Sequence, residues 1–582
     1  MAWFDPSHFP THRGGHSYNS GYRQVGGRGT PTPSFAAPAP IVAYVTSPTR
    51  TQRLNEIFER IRTNKENNSI EFKRFCEDFP LGADLHNHSG CHHSTILTHA
   101  KLKNLFWDTI RKTFLKEPNE DCIPAGELEL PSKLEMKKEF IAKLTQPKFA
   151  AFNNDRQDAN DHFHATFIAS GSAEVPLAAC LVDEYNEAIF HNIQHVLLMI
   201  DLPPKESTEE YSLPTDIGDL TDEALERFYK QITPWLKVEV PFSVNYLKQQ
   251  GADATRALKL PASIYGTENP INISCQIEIG KSHSLNSTNS DPQKLLARFA
   301  CDVAKAMELQ QTGDVAEAME LQETGNFVLS LNCVGPEYLT ENLEPHRARI
   351  LDFFYKKYAG KVKIAYHAGE LRPVLAPATP MVNVVDRILD DCHSSRAGHA
   401  TCVKSLRELK RLRESDVPVE VCASACAKLL GEPYPFMRLV EAGVPFVICT
   451  DNREVFKTNL SQQFYKIFKL WRDGTYVDFK TIARNSLHYS DLKGKSIFDK
   501  NDGEFKIKQK YKHYVKMSNV EEDVFFQGCS PKAKVQIRHE RAMYAYEEEL
   551  LSRNGKPLSS SPPSLAFAQF EHLYSRGQPL AE

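Results

Sequence analysis

A (β/α)8 barrel is the fold class this sequence predicts, and three observations carry it. Eight short apolar runs read as strands: Ala83–Leu85, Val196–Ile200, Ile271–Ile279, Phe327–Val334, Val362–Tyr366, a short run before Gly398, Val419–Ala423 and Phe446–Thr450. Helical patterning fills the gaps, over about 181–194, 219–232, 291–323, 341–358, 381–393, 403–414 and 433–442. Ionisable residues gather where strands end, which is where such a barrel keeps its chemistry. Eight strands each followed by a helix build one parallel sheet rather than a sandwich or a bundle.

Composition narrows the classes of function. With 582 residues the chain has room for several domains, although one α/β barrel can hold well over about 250. Hydrophobic residues at 41% and charged residues at 25% are ordinary for a soluble globular protein. A net charge of −4 argues against a dedicated nucleic-acid binder, which is usually basic. No run of about 18 apolar residues occurs, so no transmembrane helix is expected. Met1-Ala2-Trp3-Phe4-Asp5-Pro6 lacks the charged and apolar regions of a Sec signal. Thirteen cysteines, an odd number without regular spacing, fit reduced thiols better than a disulfide framework. A cytoplasmic protein is expected, with non-classical export as the alternative.

Residues 1–50 are rich in Gly, Pro and Ser and are expected to be disordered. An N-terminal helix is assigned to 51–80, with Leu54, Ile57, Phe58 and Ile61 on one face of Thr51–Asp78. The barrel is assigned to 81–515. Its first strand leads into a helix over Ser94–Lys116 and a polar insertion at about 117–160. Ala306–Gly313 recurs as Ala318–Gly325, two copies and therefore too few for a solenoid. Further helices are expected over 516–555, including Arg541–Leu551, and 556–582 reads as a loose tail.

Four strand ends carry the candidate chemistry. The first ends in His86-Asn87-His88, whose imidazoles share one side through strand alternation. The fifth ends in His367-Ala368-Gly369-Glu370, the sixth in Arg396-Ala397-Gly398-His399, and the eighth in Asp451-Asn452. Singly, a strand-end His is more often a hydrogen-bonded structural residue, and a strand-end Asp more often a helix cap. Four such groups aimed at one point predict a metal site. His191 and His195 have i, i+4 spacing on a presumed helix, but no glutamate follows His191 as a zincin motif requires. His162 and His164 are weighed as pocket-mouth residues and Cys422 and Cys426 as packing. A cytidine-type zinc deaminase is excluded because Pro-Cys-x-x-Cys is absent.

The set His86-x-His88, His367-Ala-Gly-Glu370, Arg396-x-Gly-His399, Val421-Cys422 and Thr450-Asp451 resembles the adenosine deaminase family of metal-dependent amidohydrolases. Val334-Gly335-Pro336-Glu337 and Arg484-Asn485-Ser486-Leu487-x-Tyr489-Ser490, with Gly494 and Ser496, resemble its growth-factor-related branch and bacterial relatives. The resemblance covers roughly residues 70–515. It implies a TIM barrel of the metal-dependent hydrolase type, with His86, His88, His367 and Asp451 holding one Zn2+. By the same resemblance His399 orients and deprotonates the attacking water, Asp451 helps orient it, and Glu370 protonates purine N1. Gly335, Asn452 and Ser89 are expected at the substrate.

Four departures surround that substrate region: Asn452 for the usual second aspartate, Ser424-Ala425-Cys426 for Thr-Ser-Asn, Ala400 for a glycine, and a loop shortened before Ser89. The activity implied is hydrolysis of adenosine or 2′-deoxyadenosine to the inosine counterpart and ammonia. The alternatives are another aminopurine, such as AMP or a modified adenosine, and a diverged nucleoside-binding protein with little turnover. The expected partner is a small-molecule purine nucleoside, with no nucleic acid or membrane and a possible homodimer.

Overall fold

Eight strands run parallel in chain order: β1 Gly82–His88, β2 Ile193–Ile200, β3 Asn272–Gly280, β4 Val328–Val334, β5 Ile364–Ala368, β6 Arg396–His399, β7 Val419–Val421 and β8 Phe446–Ile448. β1 and β8 are joined by a parallel bridge between Asn87 and Asp451, which brings the sheet round to a near-closed barrel. The computed structural model describes residues 49–63, 68–153, 155–204, 207–208, 210–258, 271–280, 291–311, 328–334, 343–370, 384–403, 405–501, 504–517, 520 and 523–553. Gly335, the second copy of the repeat, and the tails 1–48 and 554–582 lie outside the described residues.

The strands are apolar on both faces because each is covered inside and out. β2, Ile-Gln-His-Val-Leu-Leu-Met-Ile, is buried throughout, the pattern of a parallel strand beneath helices. The covering helices include α1 Arg50–Thr63, α2 Asn68–Asp78, α3 Leu177–Phe190, α4 Asp222–Leu258, α5 Pro292–Gln311, α6 Glu344–Lys357, α7 Leu406–Glu414, α8 Ala423–Leu429, α9 Met437–Ala442, α10 Leu460–Leu470, α11 Tyr476–His488 and α12 Pro531–Ser552. Among the described residues no helix is long and apolar enough to cross a membrane.

Several local expectations are corrected. The helix expected over Thr51–Asp78 is two, α1 and α2. No apolar residue occurs between Ile61 and Ile70, so the pattern that would hold one helix against the core lapses. The helix expected over Ser94–Lys116 is His93–Leu102, after which Phe106–Asp108, Thr113–Leu115 and Cys122–Pro124 form a three-stranded antiparallel sheet. Its Trp107 is buried edge-on to Phe114 and Phe140, and all three join the main apolar core. α4 continues through Pro234 and Pro241. His191 and His195 share no helix, since His191 caps α3 and His195 lies within β2. β7 stops at Val421 because Ala423 already opens α8. A hairpin, Phe498–Asn501 with Glu504–Ile507, was not foreseen and packs into a separate apolar cluster around Ile497, Phe526 and Ile537.

The Arg484–Ser490 segment braces the barrel where it closes. α11 lies so close to the start of β1 that a Cβ on Gly82, whose φ is +83°, would sit 2.3 Å from the Ala483 carbonyl oxygen. Only glycine tolerates both that φ and that approach. Ser486 Oγ accepts from Ala83 N at 2.7 Å, and Asn485 Nδ2 donates to Phe446 O at 3.0 Å, so one helix holds the starts of β1 and β8.

Arg484 forks onto Glu540 of α12, with Nε–Oε1 2.7 Å and Nη2–Oε2 2.5 Å. Burial alone would raise the Glu540 pKa, but Arg484 and His539 outweigh it and hold this carboxyl far below the usual range. A depressed folded pKa means that the pair stabilises the fold fully above the unfolded glutamate value of about 4.3 and is lost as pH falls below it. Glu540→Gln is therefore expected to cost about 3 kcal/mol at pH 7. Urea titrations at stepped pH should show its deficit against the unsubstituted protein shrinking below about pH 4.3; a constant deficit would contradict the ion-pair account.

Candidate metal and acid–base site

Three imidazoles from two strand ends meet with their inner nitrogens already engaged. His86 Nδ1 lies 2.7 Å from Glu420 Oε2 of β7. His88 Nδ1 lies 3.3 Å from Glu278 Oε2 of β3. His367 Nδ1 lies 3.0 Å from Asn332 Oδ1 of β4. An acceptor on each Nδ1 fixes the tautomer and leaves Nε2 as the outward donor atom, the arrangement that orients metal-binding histidines. His86, His88 and His367 each offer a ligand atom within 4.8 Å of the others, as do His86, His399 and Asp451. The His86 and His367 ring centroids are 4.4 Å apart, and those of His86 and His399 4.7 Å.

The donor set fits a cation. His86 Nε2 is buried and has no hydrogen-bond partner, a costly state for a polar atom that nothing coordinates. Burial alone would lower the His88 pKa, but Glu278, Asp451 and Glu370 outweigh it and raise it to about 9. The carboxylates thus call for positive charge at this point. Imidazole nitrogens with one carboxylate oxygen are the ligands zinc takes in open sites.

Asp451 is placed by the closing bridge. Its N–H donates to His86 O at 2.8 Å, and its carbonyl accepts from His88 N at 3.4 Å. Its φ is +64°, and its Oδ1 lies 3.5 Å from His88 Nε2. Left-handed backbone at a non-glycine residue is uncommon and gathers at functional sites. His399 and Ala400 share the feature, with φ values of 57° and 49°. The His399 carbonyl is held by the Tyr434 hydroxyl.

Glu370 stands beside the cluster, its Oε1 3.8 Å from His399 Nε2. Gly369 makes the turn that carries the chain from His367 to Glu370. A Cβ at this residue would lie 1.9 Å from Cys402 Sγ. A small cavity borders Glu370 and His399 and is closed by Thr401, Ala425, Cys426, Leu429 and Leu430. Ser424 turns away from it into hydrogen bonds with Thr458 and Gln463. Asn452 caps the short helix Arg453–Phe456, its N–H on Asp451 Oδ1 at 2.8 Å. Ser89 is exposed at the rim, its N–H on Met199 O at 2.9 Å.

The structure therefore brings His86, His88, His367, His399, Asp451 and Glu370 together, with Asn452 and Ser89 at the edge. His162 lies elsewhere, bonded to the Thr145 carbonyl at 3.1 Å. Sequence reasoning missed the residues behind the histidines. Glu420 also receives Arg396 Nε at 2.6 Å, and Arg396 Nη1 is bonded to Asp491, all of it buried. On the other side, Asn87 donates to Glu184 Oε2 at 2.9 Å, and Arg453 grips Glu184 Oε1 at 2.8 Å. A signal for three of them was available: Val419-Glu420-Val421, Ile277-Glu278-Ile279 and Leu331-Asn332-Cys333 each set one polar residue in an apolar strand.

The family model described as "Adenosine deaminase" matches residues 299–499. The adenosine deaminase of Enterococcus faecalis is 34% identical over 111 residues, covering 18% of this chain and 32% of that protein. The Lactococcus lactis adenosine deaminase is 30% identical over 155 residues, covering 26% and 42%. The chain thus spans well under two thirds of the length of these curated relatives. Among solved structures, the N6-methyl-AMP deaminase of Arabidopsis thaliana is similar with a TM-score of 0.41 and 15% identity, covering 72% of this chain and 94% of that one. The matched residues, 299–499, contain β4 to β8 with His367, Glu370, His399 and Asp451, and over them the chain is similar to the adenosine deaminase family.

Proposed function

We propose that this protein hydrolyses adenosine or 2′-deoxyadenosine to inosine or 2′-deoxyinosine and ammonia. The observation that carries the reading is the set of imidazoles with occupied Nδ1 atoms and an orphaned His86 Nε2, with Glu370 and His399 at its side. His86, His88, His367 and Asp451 would hold one divalent ion, zinc by its ligand preference. When bound, the ion supplies a nucleophile from water at neutral pH.

The chain's own residues do the rest. His399 orients the attacking water and accepts its proton. Asp451 accepts a hydrogen bond from the same water and fixes its approach to C6. Glu370, protonated, gives its proton to purine N1, so that no negative charge builds on the ring nitrogen as C6 becomes tetrahedral. The proton taken by His399 then passes to the amino group, which departs as ammonia, and the C6 hydroxyl proton restores Glu370. A positioned acid of this kind is worth about 10²–10⁴-fold. The Asn452 amide donates to N7 where an aspartate would have to be protonated to do so, and Ser89 stands at the edge of the substrate site.

Ammonia release over a panel of adenosine, 2′-deoxyadenosine, AMP and N6-substituted adenosines tests this. The two nucleosides are expected to turn over fastest, chelator dialysis to remove the activity, and zinc to restore it. A preference for AMP would move the substrate assignment to nucleotides. Tight adenosine binding without ammonia from any compound would make the protein a nucleoside binder.

A further inference from the structure

Cys91 and Cys180 meet where the loop after His88 packs on α3. Their Sγ atoms are 2.7 Å apart, joining residues 89 positions distant in the chain. Cys91 lies in the loop that follows His88, and Cys180 in the first half of α3. Both are buried. The same helix grips the loop a second time through Asp183. Its Oδ2 accepts from His92 N at 3.0 Å, and its Oδ1 accepts from Thr95 Oγ1 at 3.1 Å. The two sulfurs are thus held against each other by neighbours that need no covalent link between them.

We propose that Cys91 and Cys180 are a thiol-oxidation site, forming a reversible disulfide that tethers the loop after His88 to α3. The oxidant is a low-molecular-weight disulfide, RSSR. One cysteine loses its proton and attacks RSSR, forming a mixed disulfide and releasing RS−. The second cysteine loses its proton and attacks the protein sulfur of that mixed disulfide, forming the Cys91–Cys180 bond and releasing the second RS−. The protein gives up two electrons and two protons, and RSSR becomes two RSH. The hydrogen bond to Cys180 and burial hold the Cys91 thiol well above its usual range, which makes the exchange slow at neutral pH.

The experiment uses the full chain and needs no deaminase activity, so its outcome is independent of the proposed reaction. Folded protein is held overnight with glutathione disulfide or with dithiothreitol, then unfolded in iodoacetamide, digested and weighed. The expected result is a Cys91–Cys180 linked peptide, 2 Da lighter than the two reduced peptides, after glutathione disulfide, and two alkylated cysteines after dithiothreitol. The oxidised protein should also melt about 2–5 °C higher, a gain absent from Cys180→Ser and from Cys91→Ala. Full alkylation of both residues after the oxidant, or separate glutathione adducts on each in a protein whose circular dichroism is unchanged, would overturn the proposal.

Discussion

Glu370→Gln is expected to lower kcat for adenosine by about 10²–10⁴-fold while leaving metal content unchanged. The amide keeps the shape of the carboxylic acid and cannot deliver its proton, so only the proton transfer to N1 is removed. Metal content should hold because Glu370 belongs to neither ligand group, its Oε1 lying 3.8 Å from His399 Nε2. Single-turnover kinetics on metal-loaded protein, beside elemental analysis of the same sample, make the measurement. Loss of metal with the activity would recast Glu370 as a ligand. Unchanged turnover would remove it from the proton path.

Glu420→Gln carries the second large effect, on stability and metal affinity together. One carboxylate spans His86 and Arg396, with both oxygens used at 2.7 and 2.6 Å and no exposure at any of the three side chains. Burial alone would raise the Glu420 pKa, but His86 and Arg396 outweigh it and hold it below the usual range. The charge is therefore part of the folded state. Removing it leaves Arg396 to Asp491 alone in a dry interior, which costs about 3–5 kcal/mol for a broken buried pair. It also frees the His86 ring to turn, which typically weakens metal binding by about 10–100-fold. Denaturation of the metal-free variant separates the first effect, and competition with a zinc-chelating dye reads the second. An unaltered midpoint in denaturant would show that Asp491 suffices for Arg396.

The strand ends were legible in the sequence because barrel chemistry obeys a positional rule. His86, His367 and Asp451 each stand just where a largely apolar run stops, while His399 follows only Arg396-Ala397-Gly398. What lies behind them was not legible in pairs. Glu420 is visibly odd between two valines, yet its partner His86 is 334 positions away, and only the sheet's closure brings them into register. The three-stranded insertion sheet was hidden for a different reason. Leu105-Phe106-Trp107 continues an apolar pattern that a helix would also satisfy, and short runs of this kind do not distinguish the two. α4 ran past Pro234 because tertiary packing of its apolar stripe, with Phe228, Ile232, Trp235 and Leu236 buried, outweighs the local cost of proline.

The first and last strands touch through one bridge, and the residues that make the bridge are neighbours of, or identical with, the proposed ligands: His86, Asn87, His88 and Asp451. A barrel wall is a hoop, and a hoop fails at its seam. Here the seam is stitched by two backbone hydrogen bonds, of 2.8 and 3.4 Å, where interior strand pairs run from two registered residues at β6 and β7 to six at β2 and β3. An ion shared by His86, His88 and Asp451 would rivet that seam from inside. Substitutions tolerated for their chemistry would still be felt as a loosened hoop, and the strength of the wall and the position of the reactive centre cannot vary independently.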